Sequence, residues 1–330
     1  MALWTDVIKP VEVTAFARAV VENTDEGSTL ANIFPNVQVN ATTYSWDVGE
    51  VLSEVAEYRS FDTEAAFGRS VGRGRKTSEL APVSLKKRIS EYEQFVHAGA
   101  NTPESLQSAG ERISGELAQA HVNRQALLRG SILSTGRLTI NEGDFVTDVD
   151  FGRRADFNKT AGTLWSTAST SDPVRDLETW LAEYEEANGT TPTDLILSRR
   201  VLSHVKNRMR EAGYFGTAEQ INVTTSAVND QLVDRGLPTV TVNERRAAGQ
   251  RVIPDNVVIL AGTGAGGTVW GTPVEAANPN YGLAAGGVEA PGLVVGAYRE
   301  DDPEVAFIRS TAVVLPILAN PDLTLVATVL

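Results

Sequence analysis

Between residues 47 and 88 the chain reverses its charge, and this constrains it more than any other feature. Asp47, Glu50, Glu54, Glu57, Asp62 and Glu64 are opposed only by Arg59. Beyond Gly68 come Arg69, Arg73, Arg75, Lys76, Lys86, Lys87 and Arg88, against the single Glu79. Gly68, Gly72 and Gly74 let the backbone of the basic half bend and reach positive φ at small steric cost. Such a segment does not build a core. It extends from one, towards a surface of opposite charge.

The remainder is ordinary globular material. At 330 residues, 42% hydrophobic and 22% charged, the chain suits two domains or one elaborate domain with a substantial core. A net charge of −13 argues against a general nucleic-acid binder, which needs excess Lys and Arg to neutralise phosphates. Without cysteines there is no disulfide, thiolate metal site or thiol nucleophile. Met1 to Lys9 lacks the basic-then-apolar plan of a signal peptide, and no apolar window suits a membrane span. The C-terminal run from Val305 to Leu330 is expected to divide into strand-length pieces at Arg309, Pro316, Asn320, Pro321 and Asp322.

Helices and strands alternate without a regular repeat, which indicates an α+β class. Glu12 to Val20 reads as a helix ended by Glu26-Gly27, and Ile33-Phe34-Pro35-Asn36 as an extended or turn segment, because Pro35 disfavours helix at Phe34. Thr42 to Val51 alternates as a strand, with Leu85 to Phe95 as its return partner, so the glycine-rich basic piece becomes the tip of a long hairpin. Thr102 as N-cap, Pro103 and Glu104 open a helix carried by Leu106, Ile113, Leu117, Ala120, Arg124, Leu127 and Leu128. To about Arg129 it spans about 40 Å, long enough to be a spine. Arg137 to Ile140 and Phe145 to Phe151 read as strands. Asp172-Pro173 opens a second helix that Asn188-Gly189 stops, and Ser198 caps a third after the strand Leu195 to Leu197. Beyond Gly213, strands are expected at Thr239 to Asn243, Val257 to Leu260, Thr268 to Trp270 and Leu293 to Ala297.

Candidate chemistry is sparse. Gly262-Thr263-Gly264-Ala265-Gly266-Gly267 matches a dinucleotide fingerprint, but strand and turn residues follow it where a helix N-terminus should hold the pyrophosphate. It reads as a glycine-rich loop between strands. His97, His121 and His204 lack any metal-ligand spacing, and His121 falls near the apolar stripe of the spine helix as a packed histidine. No catalytic residue, cofactor or metal is assigned, and no enzyme is expected. The basic segment admits phosphate binding, docking on an acidic surface of an identical subunit, or simple solvation. Docking is favoured, because the chain supplies its own acidic complement and the segment lacks aromatic residues for base stacking.

The order of motifs resembles the lambda-type major capsid protein E family of tailed bacteriophages, with the Hong Kong 97 capsid fold. The resemblance runs from Ala2-Leu3-Trp4-Thr5-Asp6-Val7-Ile8 and Ile33-Phe34-Pro35-Asn36 through the charged hairpin and spine helix. It continues through Leu127-Leu128-Arg129-Gly130, Val149-Asp150-Phe151-Gly152, Trp165, Asp172-Pro173 and Gly271-Thr272-Pro273-Val274-Glu275. It implies an N-arm at 1–42, an extended E-loop hairpin at 43–95, and a peripheral domain with the spine helix at 96–165. An axial domain follows at 166–298, and C-terminal strands at 299–330 return to the peripheral domain. The implied protein assembles with itself as pentamers and hexamers of an icosahedral shell around double-stranded DNA, without sequence-specific binding. A separately encoded scaffolding protein, a portal and a decoration protein are the implied partners, with the virion as location and the host cytoplasm as place of assembly. An encapsulin-like shell enclosing cargo protein is the alternative. Within this frame Arg69, Arg73, Arg75, Lys76, Lys86, Lys87 and Arg88 become an inter-subunit contact, and Glu50, Glu54, Glu57, Asp62 and Glu64 its acidic complement.

Overall fold

The computed structural model describes residues 8–48, 74–90, 92, 103–143, 145–167, 170–215, 222–278, 291–302 and 304–330. Two five-stranded sheets share one long helix. The first helix, α1 (Pro10–Asp25), starts on a proline and buries Val13, Thr14, Ala17, Val21 and Asp25 at helical spacing. A single turn, α2 (Thr29–Ile33), follows where extended chain is expected at Ile33. Extension begins only after Phe34, where Pro35 forbids another turn and leads into β1 (Asn36–Gln38).

The spine helix, α3 (Pro103–Thr135), has 33 residues and a length of about 50 Å. It outruns the expected end at Arg129 because its last turn is satisfied locally. Ser134 and Thr135 return their hydroxyls to the carbonyls of Gly130 and Ser131, and Arg153 takes those of Ile132 and Leu133. Gly136 then leaves the helix at φ 71°. Helix α1 runs alongside α3 in the same direction, with Ile8 against Gly110 and Asp25 against Arg129. A β-carbon on Gly110 would lie 2.9 Å from Ile8 Cδ1, so this glycine lets the chain approach the spine. The expected N-cap Thr102 lies outside the described residues.

The first sheet has the order β1, β13 (Gly267–Gly271), β15 (Glu304–Ile317), β14 (Val294–Asp301), and β4 (Pro82–Ile89) also pairs with β15. Ala306, Ile308, Ala312 and Val314 of β15 pack on Leu106, Ile113, Leu117 and Val122 of α3 and on Val13, Ala17 and Val21 of α1. Contrary to expectation, β15 runs unbroken through Arg309 and Pro316. Arg309 is neutralised at 2.6 Å by Glu275. Pro316 lies opposite Thr268, whose N–H bonds Pro35 on the far side, so the proline nitrogen faces the side that β4 leaves at Val313.

The second sheet has the order β7 (Asn158–Thr160), β16 (Thr324–Thr328), β12 (Val257–Ala261), β8 (Asp194–Leu197), β9 (Val240–Val242). Strand alternation decides which layer each side chain joins. Leu195, Leu197, Val258, Leu260, Leu325 and Ala327 meet the helices α4 (Pro173–Asn188), α5 (Arg199–Glu211) and α6 (Thr225–Val233). Ile196, Val257, Ile259, Ala261 and Val326 instead join the core around Ala126, Leu128, Ile132 and Leu133 of α3. The expected caps are present, with Asp172 accepting from the Arg175 N–H, Ser198 accepting from Val201, and Gly189 in the left-handed region. Helix α6, which Thr224 caps, lies where only strands are expected.

The segment 299–330 divides between the sheets: β15 lies in the first, β16 in the second between β7 and β12. The implied boundary at 298 falls inside β14. The glycine-rich loop links β12 to β13 and thereby the two sheets. A side chain at Gly266 would meet Ile317 O at 2.4 Å and the Phe34 ring at 2.5 Å, so that glycine serves packing.

Candidate subunit-contact surface

The charged segment forms a different hairpin from the one expected. Strand β2 (Thr43–Val48) pairs antiparallel with β3 (Gly74–Glu79), placing Trp46 opposite Lys76 and Asp47 opposite Arg75. Pro82–Ile89 pairs with β15 instead. The polar run Gly74–Glu79 has no hydrophobic alternation, whereas Leu85 and Ile89 do, so periodicity selects the wrong partner. Packing at the hairpin's base explains the true one. Trp46 is buried, its ring 5.9 Å from Phe151 and 6.5 Å from Tyr44. Lys76 donates from Nζ to the carbonyls of Asp150 and Phe151, each at 2.9 Å. The first carbonyl ends β6 (Phe145–Asp150), which pairs with β5 (Arg137–Glu142), and the second follows it. Gly152 turns the chain beneath the ammonium at φ 83°. Arg75 is exposed and lies in the return strand, not at the tip, and has no ion pair to a described residue.

Strand β4 carries the second group of cations. Lys87 pairs with Glu116 of α3, which Arg112 also reaches at 2.8 Å, and the Lys87 hydrogen bond holds the Glu116 carboxyl below its usual range. Lys86, on the opposite face, sits 4.7 Å from the Phe307 ring centre and 3.4 Å from the Tyr298 hydroxyl. Arg88 is exposed and has no ion pair to a described residue. Among the described residues β4 pairs only with β15, and three successive cations on an edge strand oppose indiscriminate strand addition. Lys76, Lys86 and Lys87 are therefore engaged within their own chain, while Arg75 and Arg88 are the described cations of the set that remain available. Arg69, Arg73, Glu50, Glu54, Glu57, Asp62 and Glu64 lie outside the described residues.

Two buried arginines tie the spine to its neighbouring elements, and hydrophobic periodicity passes over both. Arg129 makes a two-pronged pair with Asp25 and bonds Thr268 Oγ1 at 2.9 Å and Asn36 Oδ1 at 3.2 Å. It joins α3, α1, β1 and β13 at one guanidinium. Arg153 joins the end of α3 to Thr324 of β16 and Asn158 of β7, and burial lowers its pKa to about 10. The available signal was an arginine inside the apolar run Ala126-Leu127-Leu128-Arg129. His121 is buried against Ser310 Oγ at 2.9 Å, in agreement with a packed histidine. Among the described residues no group of three or more metal-ligating side chains converges, and no helix is long and apolar enough to cross a membrane.

A spine helix packed on two sheets, with a charged hairpin whose base strands pack beside Phe151, fits a Hong Kong 97-like phage capsid fold. The chain belongs to the family described as phage major capsid protein E, whose profile matches residues 28–329. Among solved structures it is similar to a phage-related protein from Bordetella bronchiseptica RB50, with 14% identity, 97% of this chain and 96% of that one covered, and a TM-score of 0.59. It is equally similar, at 13% identity and a TM-score of 0.59 over 96% of this chain and 99% of the other, to a protein of an E. coli CFT073 prophage assigned as its capsid protein. The mature capsid of bacteriophage PhiM1 matches at 12% identity and a TM-score of 0.50, covering 92% and 87% of the two chains. At these identities the likeness is one of fold. No curated protein matches in sequence.

Proposed function

We propose that copies of this major capsid protein associate as pentamers and hexamers and close an icosahedral shell around double-stranded DNA. Membership of the capsid protein E family over residues 28–329 carries the reading. The geometry fits it: two sheets share one spine, and the charged segment is anchored at its base by Lys76 and Trp46. The surface is strongly acidic overall, at a net charge of −13, which suits a container whose DNA must be packed and released. Subunits meet, in this reading, through the charged segment, with Arg75 and Arg88 as the described cations facing an acidic stretch of the next copy. Individual exposed pairs are weak, but repetition at each contact of a large assembly sets register. A separate scaffolding protein, a portal, a decoration protein and assembly in the host cytoplasm belong to the same proposal. So does a division into N-arm, E-loop, peripheral and axial parts, with β13 and β16 exchanged between the last two.

Electron microscopy of the expressed protein tests this. Closed shells of uniform diameter are expected, and a monodisperse small oligomer that binds nucleotide would overturn the reading. The nucleic-acid content of the shells separates it from an encapsulin-like container, which would hold cargo protein and no genome.

A further inference from the structure

In this acidic chain five arginines gather at one corner of the second sheet. Helix α5 opens with Arg199 and Arg200, and the short hairpin of β10 (Arg246–Ala247) and β11 (Gln250–Arg251) begins just after Arg245. The register sets Arg246 directly opposite Arg251, like charges that an isolated hairpin would disfavour. Glu244 ties the two elements together, accepting from the Arg199 backbone N–H at 2.7 Å and pairing with Arg251 at 3.0 Å. Asp255 lies 3.6 Å from Arg200. Of the five arginines, Arg251 and Arg200 pair with these two carboxylates and Arg246 reaches the Gly249 carbonyl at 3.5 Å, so the residues of this corner carry an excess of positive charge. Arg199, Arg200 and Arg246 are exposed.

The hairpin turns through Ala248 at φ 49° and Gly249 at φ 80° and is rooted in the core by Ala247, Val252 and Ile253. Beside it runs β9, the end strand of the sheet, with Val242 37% exposed and Asn243 bonded back to Leu197.

We propose that this arginine corner is a contact surface for an acidic patch on a second copy of the chain. It rests on the self-assembly proposed above and names a surface that the charged segment does not include. Three observations select a second copy over nucleic acid. Each copy carries a net charge of −13, so it attracts a local cationic patch, whereas phosphates are repelled by the rest of the surface. The patch is bordered by an exposed aliphatic side chain, Val242, which suits a protein interface of apolar centre and charged rim. Arginine side chains present planar forks matched to carboxylates. Because the arginine corner and its acidic counterpart are different surfaces, the contact is head-to-tail, the kind that closes rings.

The test uses the full chain with Arg200→Glu and Arg246→Glu together, both exposed and neither holding Glu244. Sedimentation velocity and electron microscopy over a concentration and salt series read the outcome. The variant is expected to melt as the wild type does by circular dichroism, yet to require about tenfold higher concentration to assemble. Arg200→Gln with Arg246→Gln should fall between the two. Wild-type assembly should also weaken as salt rises. Closed shells from the Glu variant at the wild-type concentration would overturn the proposal, as would normal shells that merely retain less DNA, which would mark a phosphate contact. Failure of the wild type to assemble under any condition, with its scaffolding protein supplied, would instead remove the self-assembly reading on which the proposal stands.

Discussion

The guanidinium of Arg129 meets the carboxylate of Asp25 through two 2.9 Å hydrogen bonds, with both side chains buried. The pair couples the C-terminal end of the first helix to the last third of the spine, 104 residues apart in sequence. Burying two charges is costly unless most donors are satisfied, and here Thr268 and Asn36 accept two further N–H groups, so four of the five guanidinium donors are bonded.

Removing one partner should therefore cost far more than removing both. Asp25→Ala leaves a buried cation without its counter-ion and is expected to destabilise the fold by about 3–5 kcal/mol. The double variant Asp25→Leu with Arg129→Met should lose markedly less. Urea unfolding of the two variants and the wild type decides this, and equal losses would contradict it.

Lys76 is expected to act as an internal anchor. Lys76→Met should free the hairpin base, at about 1–3 kcal/mol for two carbonyls left without their charged donor. Hydrogen exchange should quicken at the amides of Thr43–Val48 and Gly74–Glu79. Arg75→Glu, one residue away and exposed, should leave that exchange unchanged while impairing assembly.

A β-carbon at Gly130 would lie 1.9 Å from the Val252 carbonyl oxygen. Backbone cannot yield as a side chain can, so Gly130→Ala must push the β11 segment off the spine, at about 3 kcal/mol or more. Gly143→Ala meets no neighbour but sits at φ 57° and should lose about 1 kcal/mol. Thermal melts of the two should separate clearly.

Burial pushes the His121 pKa down to about 4. The unfolded chain takes up that proton near its ordinary value of 6.5, so between 6.5 and about 4 the unfolded state holds more protons. Stability from this group is whole above pH 6.5 and is lost as pH falls towards 4, by about 3 kcal/mol at most. His121→Gln keeps a partner for Ser310 and should flatten the profile in that window. Urea midpoints at pH 7 and pH 4.5 for both proteins test the sign.

Much of the fold was legible wherever one residue type forces one local geometry. Asp172-Pro173 and Asn188-Gly189 bound α4, and Ser198 opens α5. The strands expected at Val257 to Leu260, Thr268 to Trp270 and Leu293 to Ala297 fall on β12, β13 and the start of β14, whereas the C-terminal run is not divided at Arg309 and Pro316. Helix α6 was missed because its apolar positions, Val228 and Leu232, are too few to show a period in nine residues. The candidate site was legible in composition and misread in pairing.

Charge, capping residues and the order of motifs in the chain alone determined the class, the spine and the presence of a charged hairpin. They did not determine which cations remain free. Lys76, Lys86 and Lys87 look alike in sequence, yet the tertiary structure consumes them on carbonyls, a ring and a glutamate, and leaves Arg75 and Arg88 outward. It alone also brings Arg199, Arg200, Arg245, Arg246 and Arg251 together from two separate stretches. The reason is physical: local signals act over a few residues, whereas which charges meet is set by how the strands pair and by what the packing of Trp46, Phe151 and the spine leaves exposed.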